Sequence, residues 1–582
     1  MNAAPSIQPA GAPPSGNAAL PDAAEVVIVG GGIVGASLAY HLAQLGRDVL
    51  LLEQNSLGGG TTWHAVGLVG QLRTSNSMTK INRYSVELYP RLHTETGVDT
   101  GWTTTGSLIL ATSADRMVQL RRTVAMAGLF GVQAHILSPR EAAEKWPLIR
   151  SADVLGAAWL PDDGKCRPKE TTLALACGAR LHGAKILEGI RVEEVLVHRG
   201  RTTGVRTSRG PVQAAQVVLC GGMWTRSLGL KAGVDLPLFP VEHHYIVSAP
   251  VEGAFDALPV GRDPDRCIYF RGEGDRIVLG TFQKYTKPWD VPEVPASFSF
   301  QLLDDDWEKF ADPLQAGRHR IPALENSRFE SFVNGPESFT PDNNFLMGET
   351  PGVRSLFVLA GFNSVGIASA GGAGKFLAEW MTGGAPALDL WPVDVRRFGP
   401  ALNNRSFLRE RATEVLGLHY QMAWPHRELA TGRNLRRSPL HAALAAAGAC
   451  FGQKAGWERP NWFAAPGQNP VPDYSWNRGN WFAAAAAEHL AARSRVAVFD
   501  QSGFAKIECQ GPDALRLLQR ACGNNIDVPP GRAIYTGLFN ASGGFESDLT
   551  VLRLAGDRFR LVTGTAQAEA AIGVSNSVAP AR

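Results

Sequence analysis

The stretch Ala24-Glu25-Val26-Val27-Ile28-Val29-Gly30-Gly31-Gly32-Ile33-Val34-Gly35 decides the fold. Its unbroken apolar run, rich in β-branched side chains, reads as a parallel strand buried on both faces. The strand runs straight into G-x-G-x-x-G at Gly30, Gly32 and Gly35. A helix follows, with Ile33, Val34, Leu38, Leu42 and Leu45 at helical spacing and Gly46 as its stop. A second strand over Asp48 to Leu52 ends in Glu53. In such a unit Gly30 permits a tight turn, Gly32 lets backbone approach a pyrophosphate, and Gly35 lets helix and strand pack closely. The helix N-terminus faces the phosphates with its partial positive charge. Glu53 accepts hydrogen bonds from both ribose hydroxyls and repels a 2′-phosphate. The segment predicts a Rossmann-type fold that binds a dinucleotide.

The bulk properties narrow the class. The chain has 582 residues, enough for several domains, with 45% apolar and 19% charged residues. Lys and Arg number 57 against 54 Asp and Glu, and no long basic run appears, so neither nucleic acid nor an anionic membrane is an expected partner. Seven cysteines are scattered without a C-x-x-C, which argues against a disulfide framework and against a metal site and favours a reducing compartment. Residues 1–22 hold no Lys or Arg and no apolar centre. They read as a disordered tail rather than a targeting signal. No segment offers 18 consecutive apolar residues, so no membrane span is expected. Cytoplasm is the expected location.

Three later segments point to the flavin form of the cofactor. Leu57-Gly58-Gly59-Gly60-Thr61-Thr62-Trp63-His64-Ala65-Val66-Gly67-Leu68 places a second glycine turn directly after the second strand. Gln216 to Leu219 is a buried strand that ends at Cys220-Gly221-Gly222 and returns to the first sheet. Leu356 to Ala360 is a last apolar strand, leading through Gly361-Phe362-Asn363-Ser364-Val365-Gly366-Ile367 into an amphipathic helix through Trp380. On the substrate side, residues His244–Val247, Cys267–Arg271 and Arg276–Gly280 alternate as antiparallel strands. Strand alternation puts His243 and Tyr245 on one face and His244 on the other.

At these residues the sequence resembles the dimethylglycine and sarcosine dehydrogenase family of FAD-dependent amine oxidoreductases. The resemblance rests on the nucleotide motif from Gly30 to Glu53, the Thr61-Thr62-Trp63-His64 segment, Pro240-Val241-Glu242-His243-His244-Tyr245, and Gly361 to Ile367. Gly432-Arg433-Asn434-Leu435-Arg436-Arg437-Ser438-Pro439-Leu440-His441 extends it, and it covers about residues 24 to 566. It implies FAD held through Gly30, Gly32, Gly35, Glu53, Gly60, Thr61, Thr62, Gly67, Gly221, Gly361, Gly366 and Ile367, with a covalent bond from His64 to the flavin. Read without the resemblance, His64 is a histidine that hydrogen-bonds the flavin or a loop carbonyl. The implied reaction is oxidative N-demethylation of a small N-methylated amino acid. Hydride passes to flavin, and the resulting iminium yields formaldehyde or methylene-tetrahydrofolate. An electron-transfer flavoprotein or oxygen is the implied acceptor.

By the same resemblance His243 faces the flavin and holds or removes the amine proton, and Tyr269 positions the substrate. Arg271, on the strand face of Tyr269, is a candidate for the substrate carboxylate. Each has a plainer reading: cross-strand packing for the histidine and the tyrosine, a solvated strand end for the arginine.

The expected organisation is α/β and α+β. A flavin oxidoreductase domain with an antiparallel-sheet substrate part occupies 23–395, and a linker or central domain rich in Asn, Arg and Trp occupies 396–482. Residues 483–582 resemble a folate-binding aminomethyltransferase domain, with Asp548 as its buried folate-site candidate or else a turn residue after Gly543-Gly544. The family's folate domain continues well beyond this chain's last residues, so a truncated domain is expected here, unable to bury its apolar faces and doubtful for tetrahydrofolate. Two alternatives stand beside the dehydrogenase. One is an oxygen-using oxidase of a related secondary amine such as 4-methylaminobutanoate. The other is a non-catalytic regulatory subunit of the same architecture, like the regulatory partner of a dehydrogenase phosphatase.

Overall fold

Apolar segments that cannot remain in water assemble the parallel part of the first sheet. In a computed structural model, which describes residues 19–540 and 542–578, Ala23–Val29 lies at the centre of an eight-stranded sheet. It pairs in parallel with Gly210–Leu219 on one side and Val49–Leu52 on the other, so that Leu219, Val29 and Leu52 stand in register. Leu356–Ala360 adds a parallel strand beyond Gly210–Leu219, and Lys185–Leu187 adds one beyond Val49–Leu52. Val26, Val27, Ile28 and all of Val49–Leu52 are buried, as strands covered on both faces must be. The helices Ile33–Gln44 and Gly366–Gly383 pack against one another, and both begin at the carboxyl ends of these strands.

A second eight-stranded sheet stands beside the first. Its order is Phe329–Phe339, Phe239–Ser248, Arg276–Thr281, Ile268–Glu273, Val260–Asp263, Ser107–Ala111, Gly156–Leu160 and His135–Leu137. All its pairs are antiparallel except Val260–Asp263 with Ser107–Ala111. The expected alternation holds locally: His243 and Tyr245 lie on one face of their strand while His244 is buried on the other. The back of this sheet is closed by Trp146, Phe270, Phe310 and Ile321.

The helix Trp307–Arg320 is tied to the second sheet by a charge cluster. Arg320 is fully buried; its Nε donates to Asp263 at 2.8 Å and its terminal nitrogens donate to Asp153 at 2.9 and 3.1 Å. Burial pushes the Asp263 carboxyl up, against the pull of Arg320.

The described residues fall into two compact units. The first holds the chain up to Leu390 together with Val415–Gln421, and the second holds Trp391–Glu414 and the chain from Met422. The tail expected over residues 1–22 lies outside the described residues, apart from Ala19 to Asp22. Among the described residues no helix is long and apolar enough to cross a membrane.

Residues 396–482, expected as a linker or central domain, contain the helix Arg405–Val415 and the antiparallel pair Ala449–Lys454 and Trp457–Phe463. Their polar groups are buried in pairs. Glu414 accepts from the Ala430 and Thr431 amides at 2.9 and 2.8 Å, and Glu458 accepts from Arg433 Nε at 3.0 Å. The following segment, expected to leave its apolar faces unburied, does make a core, while Val496, Val498, Phe499, Tyr535 and Phe545 stay exposed. Ala505–Gln510, Arg558–Thr563, Phe545–Arg553 and Ala533–Phe539 form a four-stranded antiparallel sheet. It buries Leu538, Leu549, Val551, Phe559 and Leu561 against Leu518 and Ala571.

Replacing Arg320 with Met leaves the buried Asp263 with only Arg266 Nε at 3.7 Å, a change that costs about 3–5 kcal/mol. The urea midpoint of the first unit is expected to fall accordingly. Arg276→Met, at an exposed pair with Glu330, is expected to leave the midpoint unchanged.

Candidate functional site

The carboxyl ends of the first sheet open into a cavity of about 1590 Å³, including its mouth. Its lining runs from the Gly30 turn past Glu53 to His243 and Tyr269, an extent that suits a cofactor beside a small amine. Gly30, Gly32, Glu53, Gly60, Thr61, Thr62, His64, Gly67, Gly221, Gly361, Gly366 and Ile367 line it, as do His243 and Tyr269. Gly35 does not line it: a Cβ there would lie 2.0 Å from the Gly30 carbonyl oxygen, so its role is close packing. Gly30 itself, at φ +111°, has the Cys220 carbonyl oxygen 2.6 Å from where a Cβ would stand.

Two helix N-termini face this space. The helix Ile33–Gln44 starts at Gly32 and the helix Gly366–Gly383 at Val365. Neither has a side-chain cap or an acidic residue in its first turn. Uncapped N-termini present N–H groups and partial positive charge, which suit a pyrophosphate at one end and ring carbonyl oxygens at the other. Glu53 stands where a ribose would lie. One carboxylate oxygen accepts from the Gly31 amide at 2.6 Å and the other from the Asn55 amide at 2.8 Å. Burial pushes its carboxyl up, and these amides pull it back. The residues present therefore fit a dinucleotide such as FAD.

His64 is buried in the turn that follows the second strand, its ring edge-on to Trp63 with centroids 5.6 Å apart. Burial pushes it down to about 4, with Glu337 working in the opposite direction and His243 adding to the fall. The imidazole is therefore neutral near pH 7. Gly335 lies against it: a Cβ at that position would come within 2.3 Å of the ring.

The strand partners of His243 form a polar knot. Its Nδ1 is 2.6 Å from Glu337 Oε1, and its Nε2 is 2.8 Å from the Thr281 carbonyl oxygen. Ser364 Oγ donates to Glu337 Oε2 at 2.9 Å. Tyr269 is buried with its ring 6.2 Å from that of His243, and Phe282 packs on both. Burial raises Tyr269 well above the ordinary phenol range and Tyr245 to about 12, so both are neutral phenols.

Arg271 is not among the residues lining the cavity. Its guanidinium donates to the Val66 and Gly272 carbonyl oxygens at 3.1 and 3.0 Å and to Glu273 at 3.1 Å. Asp548 lies in the second unit and is not buried as expected. It stands half-exposed within the strand Phe545–Arg553 and accepts from the Tyr535 hydroxyl at 3.0 Å. The strand continues through the position read as a turn, because the register pairs Asp548 with Gly537.

Sequence reasoning missed Glu337, Ser364, Gly335, Arg73 and Arg262. Gly335-Pro336-Glu337 inside a strand was a signal, because Gly and Pro in a strand interior mark a close approach or a break in pairing. Ser364 and Asn363 hold φ of 62° and 49°, a left-handed pair of non-glycine residues at the site. Arg73 and Arg262 share the buried Asp163, and Arg73 Nε and Gln71 Nε2 are buried without hydrogen-bond partners. The charge of Arg73 bears on His419, whose ring packs 4.6 Å from Phe282 at the cavity wall.

A dinucleotide fold whose second glycine turn carries a buried neutral histidine defines a flavoprotein class. The chain belongs to the FAD dependent oxidoreductase family, whose profile matches residues 25–380. The FAD dependent oxidoreductase central domain matches 383–438, and the GCVT N-terminal domain matches 440–579. The chain is 46% identical over 94% of its length to 4-methylaminobutanoate oxidase (formaldehyde-forming) of Paenarthrobacter nicotinovorans, covering 66% of that protein. It is 38% identical over 94% of its length to the mitochondrial pyruvate dehydrogenase phosphatase regulatory subunit of Mus musculus, covering 63% of it. It is 37% identical over 92% of its length to mitochondrial sarcosine dehydrogenase of Homo sapiens, covering 62% of it. The chain thus spans slightly under two thirds of the length of these relatives. Among solved structures, L-proline dehydrogenase from P. horikoshii superposes with a TM-score of 0.59 at 27% identity, over 65% of this chain and 98% of that one.

Three histidines are buried in the neutral form: burial lowers His41 to about 3 and His64 and His419 to about 4. An unfolded chain protonates each near pH 6.5, whereas the folded chain resists until about those values. Each therefore favours unfolding as the pH falls below 6.5, by up to about 3 kcal/mol at pH 4 for a shift of this size. The melting temperature is expected to fall between pH 6.5 and 4, and His419→Gln is expected to flatten that fall.

Proposed function

We propose that this chain is a flavoprotein that oxidises the carbon–nitrogen bond of a small N-methylated amino acid, with FAD attached to His64. The observation that carries the reading is that His64, His243 and Tyr269 line the same cavity as the nucleotide-binding glycines. Bound FAD supplies the hydride acceptor. A neutral buried imidazole is a competent nucleophile, which supports the covalent linkage at His64. Gly335 supports it further by leaving the ring room against the strand.

The remaining residues orient the amine. Tyr269 and Tyr245 present neutral phenols to the cavity, and Phe282 with them closes an aromatic wall that keeps water from the reacting carbon. His243 presents its ring beside them. For the carboxylate, Arg271 would have to leave Glu273. Arg73 and Arg262 share a single carboxylate, and Arg73 Nε and Gln71 Nε2 are without partners. Neither arginine lines the cavity either, but behind its Phe282 and His419 wall this pair offers unpartnered buried donors that a carboxylate would satisfy. Formaldehyde is the proposed one-carbon product. Transfer to tetrahydrofolate through Asp548 is the weaker branch, since that side chain is half-exposed and bonded to Tyr535. Electrons leave to an electron-transfer flavoprotein or to oxygen.

The likeness to a phosphatase regulatory subunit supports a second reading, a non-catalytic chain of the same fold. Anaerobic addition of sarcosine, dimethylglycine or 4-methylaminobutanoate to the flavin-loaded protein separates the two. Bleaching of the flavin band with one of them is the result expected of the enzyme; no bleaching with any leaves the regulatory reading. Arg73→Gln is expected to raise KM for a carboxylate-bearing amine about 10–100-fold, the loss of one or two charge-assisted hydrogen bonds. It should leave KM for an N-methylated amine without a carboxylate unchanged, and equal effects on both would overturn the carboxylate assignment.

A further inference from the structure

Both ring nitrogens of His243 meet oxygen acceptors. Nε2 faces the Thr281 carbonyl at 2.8 Å, and a carbonyl has no proton to give, so Nε2 carries one. Nδ1 faces Glu337 Oε1 at 2.6 Å, the length of a charge-assisted contact. Burial raises the Glu337 carboxyl, but the hydrogen bond and charge of His243, with smaller help from the Ser364 hydroxyl, outweigh it and hold the group below its ordinary range. An ionised carboxylate accepts only, so Nδ1 carries a proton as well. Ser364 Oγ, bonded to Oε2 at 2.9 Å, fixes the carboxylate from its other side and lies 3.2 Å from Nδ1.

We infer that Glu337 is the positioning residue of the site: it holds His243 as an imidazolium with both nitrogens occupied, so that His243 meets the substrate as a fixed cation and takes no proton from the amine. The hydrogen-bond assignment rests on the 2.6 and 2.8 Å contacts of the His243 ring and on an ionised Glu337 to which Ser364 donates; its consequence for the amine rests on the proposed oxidation. Among the groups around the ring, the phenols and imidazoles bring no competing charge, and the cations Arg73 and Arg262 beyond them share Asp163. Tyr269 and Tyr245 are neutral phenols, and His64 and, beyond Phe282, His419 stay neutral down to about pH 4. Burial and neighbouring acids keep Tyr420 a neutral phenol too. An ammonium substrate must therefore lose its proton to water before it enters, leaving the nitrogen lone pair free.

The test uses the flavin-loaded full chain labelled with 15N-histidine, with the His243 signals assigned by their loss in His243→Asn. At pH 7.5 the parent is expected to show protons on both nitrogens. In Glu337→Gln, Nδ1 is expected to be bare and Nε2 still protonated, while Glu337→Asp keeps both protons. A bare nitrogen in the parent, or the same pattern in the parent and Glu337→Gln, overturns the inference. If Glu337→Gln does not fold, the parent spectrum and Glu337→Asp still decide it. In turnover, the acid limb of kcat/KM in the parent should move with the acidity of the substrate ammonium. Glu337→Gln should add a limb that does not move with substrate and lower kcat at least tenfold. Protons on both nitrogens in a protein that no amine reduces would leave the inference standing and remove the proposed reaction.

Discussion

The molecule depends on the close crossing of backbone at Gly30. With Leu219, Val29 and Leu52 in register, the chain must turn over the Cys220 carbonyl, and no side chain has room to make that turn. The helix from Ile33 then leaves with its N-terminus toward the cavity, packed through Gly35 on the Gly30 carbonyl. Everything at the site is placed from this corner. The second glycine turn hangs on it through the bond from the Gly58 amide to the Gly31 carbonyl, and Thr62 accepts from the Ile33 amide. That turn carries His64.

A second constraint is electrostatic. The floor of the cavity is helix N-termini and amides, which favour anionic and carbonyl oxygen. Its roof is an aromatic sheet face carrying the neutral phenols Tyr245 and Tyr269, with the neutral imidazoles of His64 and His419 beside it. Charge on the roof is confined to the Glu337–His243 pair, with Ser364 completing it. A site of this kind favours a neutral amine over an ammonium, because an unpaired charge is costly in low dielectric.

Much of this was legible in the sequence because it is local. The glycine motif, Glu53 and the His64 turn are fixed by spacing within one unit, and strand alternation alone put His243 and Tyr245 on one face. Glu337 and Ser364 were not legible, because they meet His243 only through pairing between Phe239–Ser248 and Phe329–Phe339 and through the loop before the last helix. Arg271 stood out by its strand position, yet its donors are taken by Val66, Gly272 and Glu273. Arg73 sat unremarked in a polar loop whose partner Asp163 is distant in sequence. The polar text of 396–482 read as linker or central domain because composition does not reveal that Glu414 and Glu458 are buried with their donors. Asp548 was misread by the glycines before it, where strand pairing rather than a turn governs.

Peptide mass mapping of the purified protein tests the central claim most directly. The account predicts that the proteolytic peptide containing Thr61, Thr62 and His64 carries the mass of FAD, and that His64→Ala releases the flavin on acid precipitation. A parent protein whose His64 peptide is unmodified, with flavin free in the acid supernatant or absent altogether, would contradict it.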